Sequence, residues 1–86
     1  MITLAVLTFP STHAAMVAED VCKNLKLDFE LIPTPRQISA ECGFALLIRQ
    51  LSASAIKEIC QNNQINYEYL YIIKNINGVK KYEKSD

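Results

Sequence analysis

The chain has 86 residues, half of them hydrophobic, which suits one small folded domain with a thin core and excludes a second domain. Nine basic side chains balance nine acidic ones, and this zero net charge argues against bulk electrostatic binding to nucleic acid or an anionic membrane. Three cysteines, an odd number with no Cys-x-x-Cys spacing, exclude a fully paired disulfide framework.

In chain order, Met1-Ile2-Thr3-Leu4 lacks the basic segment of a secretory signal, so the protein reads as cytoplasmic. Ile2 to Phe9 is dense in β-branched and aliphatic residues and stops at Pro10, which predicts a strand buried on both faces. Ser11 or Thr12 offers an N-cap for a helix running to Asn24 or Leu25, with Ala14, Ala18, Val21 and Leu25 as its apolar stripe. Leu27-Asp28-Phe29-Glu30-Leu31 alternates apolar and charged residues, the pattern of a half-buried strand, and Pro33-Thr34-Pro35 stops it. A short polar segment, Arg36 to Cys42, is expected to hold one helical turn. Gly43 opens the apolar run Phe44 to Ile48, of strand length and far short of the roughly 20 residues of a membrane span.

Ser52 or Ser54 can cap a second helix, with Ala55, Ile56, Ile59 and Cys60 at helical spacing. Ile65 to Ile73 carries Tyr67, Tyr69 and Tyr71 on alternate positions and predicts a fourth strand. Asn77-Gly78 is a strong two-residue hairpin signal, after which Val79 to Tyr82 can return as a short fifth strand; Glu83 to Asp86 is expected to fray.

The order βαββαβ implies an α+β fold of the ferredoxin-like kind: a four-stranded antiparallel sheet, both helices on one face, the first and third strands central and the second and fourth at the edges. A β-hairpin-plus-helices variant is the fallback. This topology brings two segments to one end of the sheet. They are Phe9 to His13, which leads into the first helix, and Pro33 to Gly43, which joins the second strand to the third. The only His, all three Pro, an Arg and one Cys gather there.

The cysteines divide accordingly. Cys22 and Cys60 fall on or beside the apolar stripes of the two helices and read as inert core thiols. Cys42 lies on no stripe. The N-terminus of the first helix offers partial positive charge and free N–H groups, and Arg36 and His13 lie in the same two segments; all favour a thiolate, while Glu41 opposes it. The competing reading of Cys42 is a small residue at a strand entrance. His13, at the first or second helical position, is expected neutral, either as a solvated residue or as a general base or hydrogen-bond donor. Arg36 is a solvated charge or an anchor for an anion. One His and three Cys make a zinc site only if the fold gathers them, so neither metal nor cofactor is expected.

Thr8-Phe9-Pro10-Ser11-Thr12-His13-Ala14-Ala15, Ala18-Glu19, Leu31 to Ser39 and Cys42-Gly43-Phe44-Ala45-Leu46 resemble the Se/S carrier-like family of small bacterial and archaeal proteins. The string Pro-Thr-Pro-Arg-x-Ile-Ser-x-x-Cys-Gly, from Pro33 to Gly43, is its most specific part. The resemblance covers residues 1–75 as a carrier-like domain and leaves 76–86 as a C-terminal hairpin or tail. It implies that Cys42 holds a persulfide or perselenide, with His13, Arg36, Ser39 and Gly43 at motif positions. Ser11 and Thr12 join them as candidate binding residues at the helix start. The implied protein is a carrier more than an enzyme with turnover. Its partners would be a chalcogen donor enzyme and an acceptor protein, with room for a homodimer and no role for nucleic acid or membrane. Two other functions fit the residues: a small-ligand-binding or regulatory module using the Pro-rich loop, and a protein-interaction module using the open sheet face and its tyrosines.

Overall fold

The computed structural model describes residues 3–38 and 43–85. Its elements run β1 (Leu4–Thr8), α1 (Thr12–Asn24), β2 (Phe29–Pro33), β3 (Phe44–Arg49), α2 (Ala53–Asn62), β4 (Tyr69–Ile76) and β5 (Val79–Lys84). The fold is α+β: two helices and a five-stranded sheet in the order β2-β3-β1-β4-β5, every neighbouring pair antiparallel.

The doubly apolar runs take the interior of the sheet, because a strand with apolar residues on both faces gains most where both faces are shielded. Ala5 and Leu7 of β1 face α1 and α2, as do Leu46 and Ile48 of β3 and Leu70 of β4. They form one core with Ala18 and Cys22 of α1 and Ile56 and Cys60 of α2, so both helices cover the same face. The opposite face carries Val6 and Ala45, also fully buried. Among the described residues Thr8 is the buried polar exception: its hydroxyl accepts from the Tyr69 N–H at 3.1 Å and so is not left unpaired.

Ser11 caps α1 and Ser52 caps α2, each Oγ accepting a backbone N–H three residues on, from Ala14 and Ala55, at 3.1 Å. Both helices end in the same way. Lys26 and Gln64 take left-handed backbone angles (φ 57° and 55°). The next amides, of Leu27 and Ile65, then reach back to the carbonyls of Cys22 and Cys60 at 3.0 and 2.9 Å. This Schellman closure turns Leu27 and Ile65 into the core.

Those closures correct two strand boundaries. Leu27 and Ile65 belong to helix exits, so β2 starts at Phe29 and β4 at Tyr69. Pro33 is the last residue of β2 and does not lie beyond its end; at a sheet edge the missing N–H costs nothing. The stripe of α1 is also rotated from expectation: Ala15, Ala18 and Cys22 are buried, while Leu25 is 44% exposed.

The hairpin at Asn77-Gly78 has positive φ at both residues, 52° and 80°, the geometry of a type I′ turn whose twist suits the strands it joins. β5 is longer than expected and includes Glu83 and Lys84, paired to Ile72 and Tyr71. The Ser85 N–H donates to the Leu70 carbonyl at 2.8 Å, and Lys57 Nζ donates to the Ser85 carbonyl at 2.7 Å. With β5 in place, β4 is an interior strand and not an edge.

Candidate functional site

The register defines which segments share an end of the sheet. Thr8, the last residue of β1, pairs with Ala45 near the start of β3, and Ala45 pairs with Ile32 near the end of β2. The chain leaving β1 toward α1 and the connection from β2 to β3 therefore emerge at one end, from strands about 4.8 Å apart. A 3.0 Å hydrogen bond from the Thr34 N–H to the Gly43 carbonyl closes the base of that connection, and Ile38 N–H to Pro35 carbonyl, 3.0 Å, forms a turn within it. A Cβ at Gly43 would meet Thr34 Oγ1 at 3.8 Å, an ordinary contact, so space at this base does not demand glycine.

On the other side of this end stands the N-terminus of α1. Ser11 is committed as the cap, its Oγ accepting from Ala14 and its carbonyl from the Ala15 N–H. Thr12 and His13 are the first two helical residues and both are exposed. Among the described residues their backbone N–H groups have no acceptor, as expected for the first turn of a helix whose single cap reaches the third amide. Arg36 is exposed as well, and neither its guanidinium nor the His13 imidazole forms a hydrogen bond or ion pair among the described residues. Among the described residues, these two backbone donors, the imidazole and the guanidinium are therefore not tied to structural work. Cys42 and Ser39, the other expected members, lie outside the described residues.

The two described thiols have a different environment. Cys22 and Cys60 are 1% and 3% exposed. They share the wall of a small apolar cavity with Leu7, Ile48 and Ile56 and with Leu27 and Ile65 from the two helix exits. Burial pushes each thiol from 9.0 up to about 11, with the neighbouring Cys22 adding to the rise at Cys60. A thiolate is the nucleophilic form, so both are poor nucleophiles in the folded chain. Among the described residues no group of three His, Cys, Asp or Glu is placed to hold a metal ion. No helix is long and apolar enough to cross a membrane.

One feature of this end was not legible in the helical pattern. Met16 and Val17 of α1 are 56% and 42% exposed, and Phe44, opening β3, is 45% exposed. Met16 and Val17 lie off the buried stripe within the first six residues of α1, so they stand near the end where Phe44 begins its strand. Their signal in the sequence is an apolar pair that no single helical stripe containing Ala15, Ala18 and Cys22 can absorb.

A sequence model of the family described as "Putative Se/S carrier protein-like" matches residues 4–72, from the first residue of β1 into β4. No curated protein and no solved structure matches the chain. The match spans well over half the chain, and the chain belongs to that family.

Proposed function

We propose that this member of the Se/S carrier-like family carries sulphur or selenium as a persulfide or perselenide on Cys42, taking it from a donor enzyme and yielding it to an acceptor protein. The observation that carries the reading is the sorting of thiols. Cys22 and Cys60 are buried and held protonated to about pH 11, which leaves Cys42 as the thiol for the chemistry named by the family.

The loading step is a thiol exchange. The Cys42 thiolate attacks the terminal sulphur of a donor persulfide; the new S–S bond forms as the donor's S–S bond breaks, and the donor leaves as a thiolate. Nothing is oxidised or reduced overall, and the terminal sulphur now sits on Cys42. Delivery is the same displacement run toward the acceptor. With selenium as the terminal atom the balance is unchanged. The free amides of Thr12 and His13 and the Arg36 guanidinium would stabilise the attacking thiolate and the terminal anion after loading. His13 would hold or release a proton there. Ser39 and Gly43 complete the motif string around Cys42. Met16, Val17 and Phe44 give donor and acceptor an apolar docking surface beside the same end.

In this reading the first six elements are a ferredoxin-like split βαβ unit. Residues 1–75 form the carrier domain, and β5, within the C-terminal segment 76–86, extends its sheet.

The test is intact-mass spectrometry after incubation with a persulfide-generating enzyme and its sulphur donor. The wild-type chain should gain one sulphur atom, reductant should remove it, and Cys42→Ser should gain none while its circular-dichroism spectrum is unchanged. Absence of a reducible adduct, or the same adduct on Cys42→Ser, overturns the proposal.

A further inference from the structure

The sheet face turned away from the helices has a pattern of its own. Read across β2, β3, β1, β4 and β5, its central row is Glu30, Leu47, Val6, Tyr71, Lys84. The row is apolar in the middle, acidic at one edge and basic at the other. The acidic edge is reinforced by Asp28: Arg49 donates to Glu30 at 2.9 Å and to Asp28 at 3.2 Å, so two carboxylates share one guanidinium and a net charge of −1 remains. The basic edge carries Lys80 and Lys84 on this face, paired to Asn75 and Tyr71. Lys84 Nζ lies 3.8 Å from the centre of the Tyr69 ring, so its charge is held over this face and is not turned away.

β1 is the middle strand of five, and this makes the face self-complementary under one particular symmetry operation. We propose that the face is the interface of a homodimer, two copies stacked sheet on sheet about a two-fold axis parallel to β1. That rotation keeps each residue's height along the strands and exchanges the sheet's edges. It sets β2 of one copy over β5 of the other, so Glu30 faces Lys84 twice. Leu47 then lies over Tyr71 of the second copy, and the small Ala45 lies beneath the large Tyr69. The alternative axis, perpendicular to the strands, would stack β2 on β2 and β5 on β5, acid on acid and Lys on Lys. Charge therefore selects the first arrangement, which is isologous and closes at two copies.

The area is adequate for a reversible dimer. Five strands at about 4.8 Å spacing and about 20 Å length present roughly 500 Å² in projection. Two copies together then reach about 1,000 Å², the lower limit for a specific interface. The zero net charge of the chain leaves little general repulsion to oppose it. This inference is independent of whether Cys42 carries a chalcogen.

Sedimentation velocity across a concentration series, in low and raised salt, tests it. The wild type should dimerise and should dissociate more readily as salt rises. Glu30→Lys and Lys84→Glu should each raise the dimer dissociation constant at least tenfold, since each sets like charges face to face. Mixing the two variants should restore a dimer. In the mixed pair the new lysine of the first variant meets the new glutamate of the second, and the unaltered Lys84 of the first meets the unaltered Glu30 of the second. Circular dichroism verifies that both variants fold; if one does not, the salt series on the wild type decides alone. A wild type that stays monomeric at hundreds of micromolar, a dimer indifferent to salt and to both reversals, or a mixture that fails to associate overturns the proposal.

Discussion

If the thiols are sorted as described, their reactivity in the folded protein should separate by orders of magnitude. At pH 8 a thiol at its ordinary value of 9.0 is about one-tenth thiolate, whereas one raised to about 11 is about one-thousandth, a difference near 100-fold. Burial multiplies the difference, because Cys22 and Cys60 are 1% and 3% exposed and a reagent reaches them only when the helices open. Labelling of the native chain with an excess of a chromogenic disulfide should show one fast thiol and two slow ones; in denaturant all three should react together. Cys42→Ser should remove the fast phase. Cys22→Ala and Cys60→Ala should each remove one slow equivalent and leave the fast phase intact. Two or more fast thiols in the native state would show that the core is looser than the buried Cys22 and Cys60 imply. A fast phase that survives Cys42→Ser would place the reactive sulphur elsewhere and remove the basis of the carrier reading.

Two further outcomes follow from the same geometry. Because folding holds Cys22 and Cys60 protonated to about 11 while the unfolded chain releases those protons near 9.0, their contribution to stability is complete below pH 9 and is lost as pH rises toward 11. Each thiol can account for up to about 3 kcal/mol of that loss, and urea melts of the Cys22→Ala/Cys60→Ala chain should show a shallower alkaline decline than the wild type; an equal decline refutes the assignment. At the hairpin, Gly78 has φ 80° and nothing within 4 Å of an added Cβ, so Gly78→Ala meets backbone strain alone. It should cost about 1 kcal/mol in a denaturant titration, and an unchanged midpoint would argue against the type I′ turn.

Much of the fold was legible because two kinds of local signal agree with the tertiary structure. Leu4–Thr8 and Phe44–Arg49 are apolar on both faces, and only interior strands can shield both. Asn77-Gly78 accepts positive φ at both positions, and a turn with that twist obliges a returning strand. The strand boundaries were less legible because alternation continues through residues that the helices reclaim. Lys26 and Gln64 adopt left-handed angles without being glycine, so no residue type marks the stop. Leu27 and Ile65 then look like the first inward residues of strands, while their amides close helices. The full reach of β5 was hidden for another reason: its Lys-rich composition reads as a solvated tail, yet Lys is also what an exposed edge strand uses to resist pairing with further chains.

The candidate site follows from topology more than from any single residue. The short string Pro10-Ser11-Thr12-His13 has little specificity by itself. It gains meaning when the register of β1 with β3 and of β3 with β2 brings the start of α1 and the base of the β2–β3 connection to one end of the sheet. A sequence can indicate that convergence as soon as the strand order is inferred, since three antiparallel neighbours fix which connections share an end. What residue patterns alone do not deliver is the division of labour within the convergence. Ser11 and Thr12 were equal candidates for the cap until the Ser11 hydroxyl took the Ala14 amide. That choice leaves the amides of Thr12 and His13 as the donors at the helix end, side by side and without an acceptor among the described residues. A cap at Thr12 would have engaged the Ala15 amide instead and left those of His13 and Ala14 free. The identity of the cap therefore decides which backbone groups an anion at this end would meet.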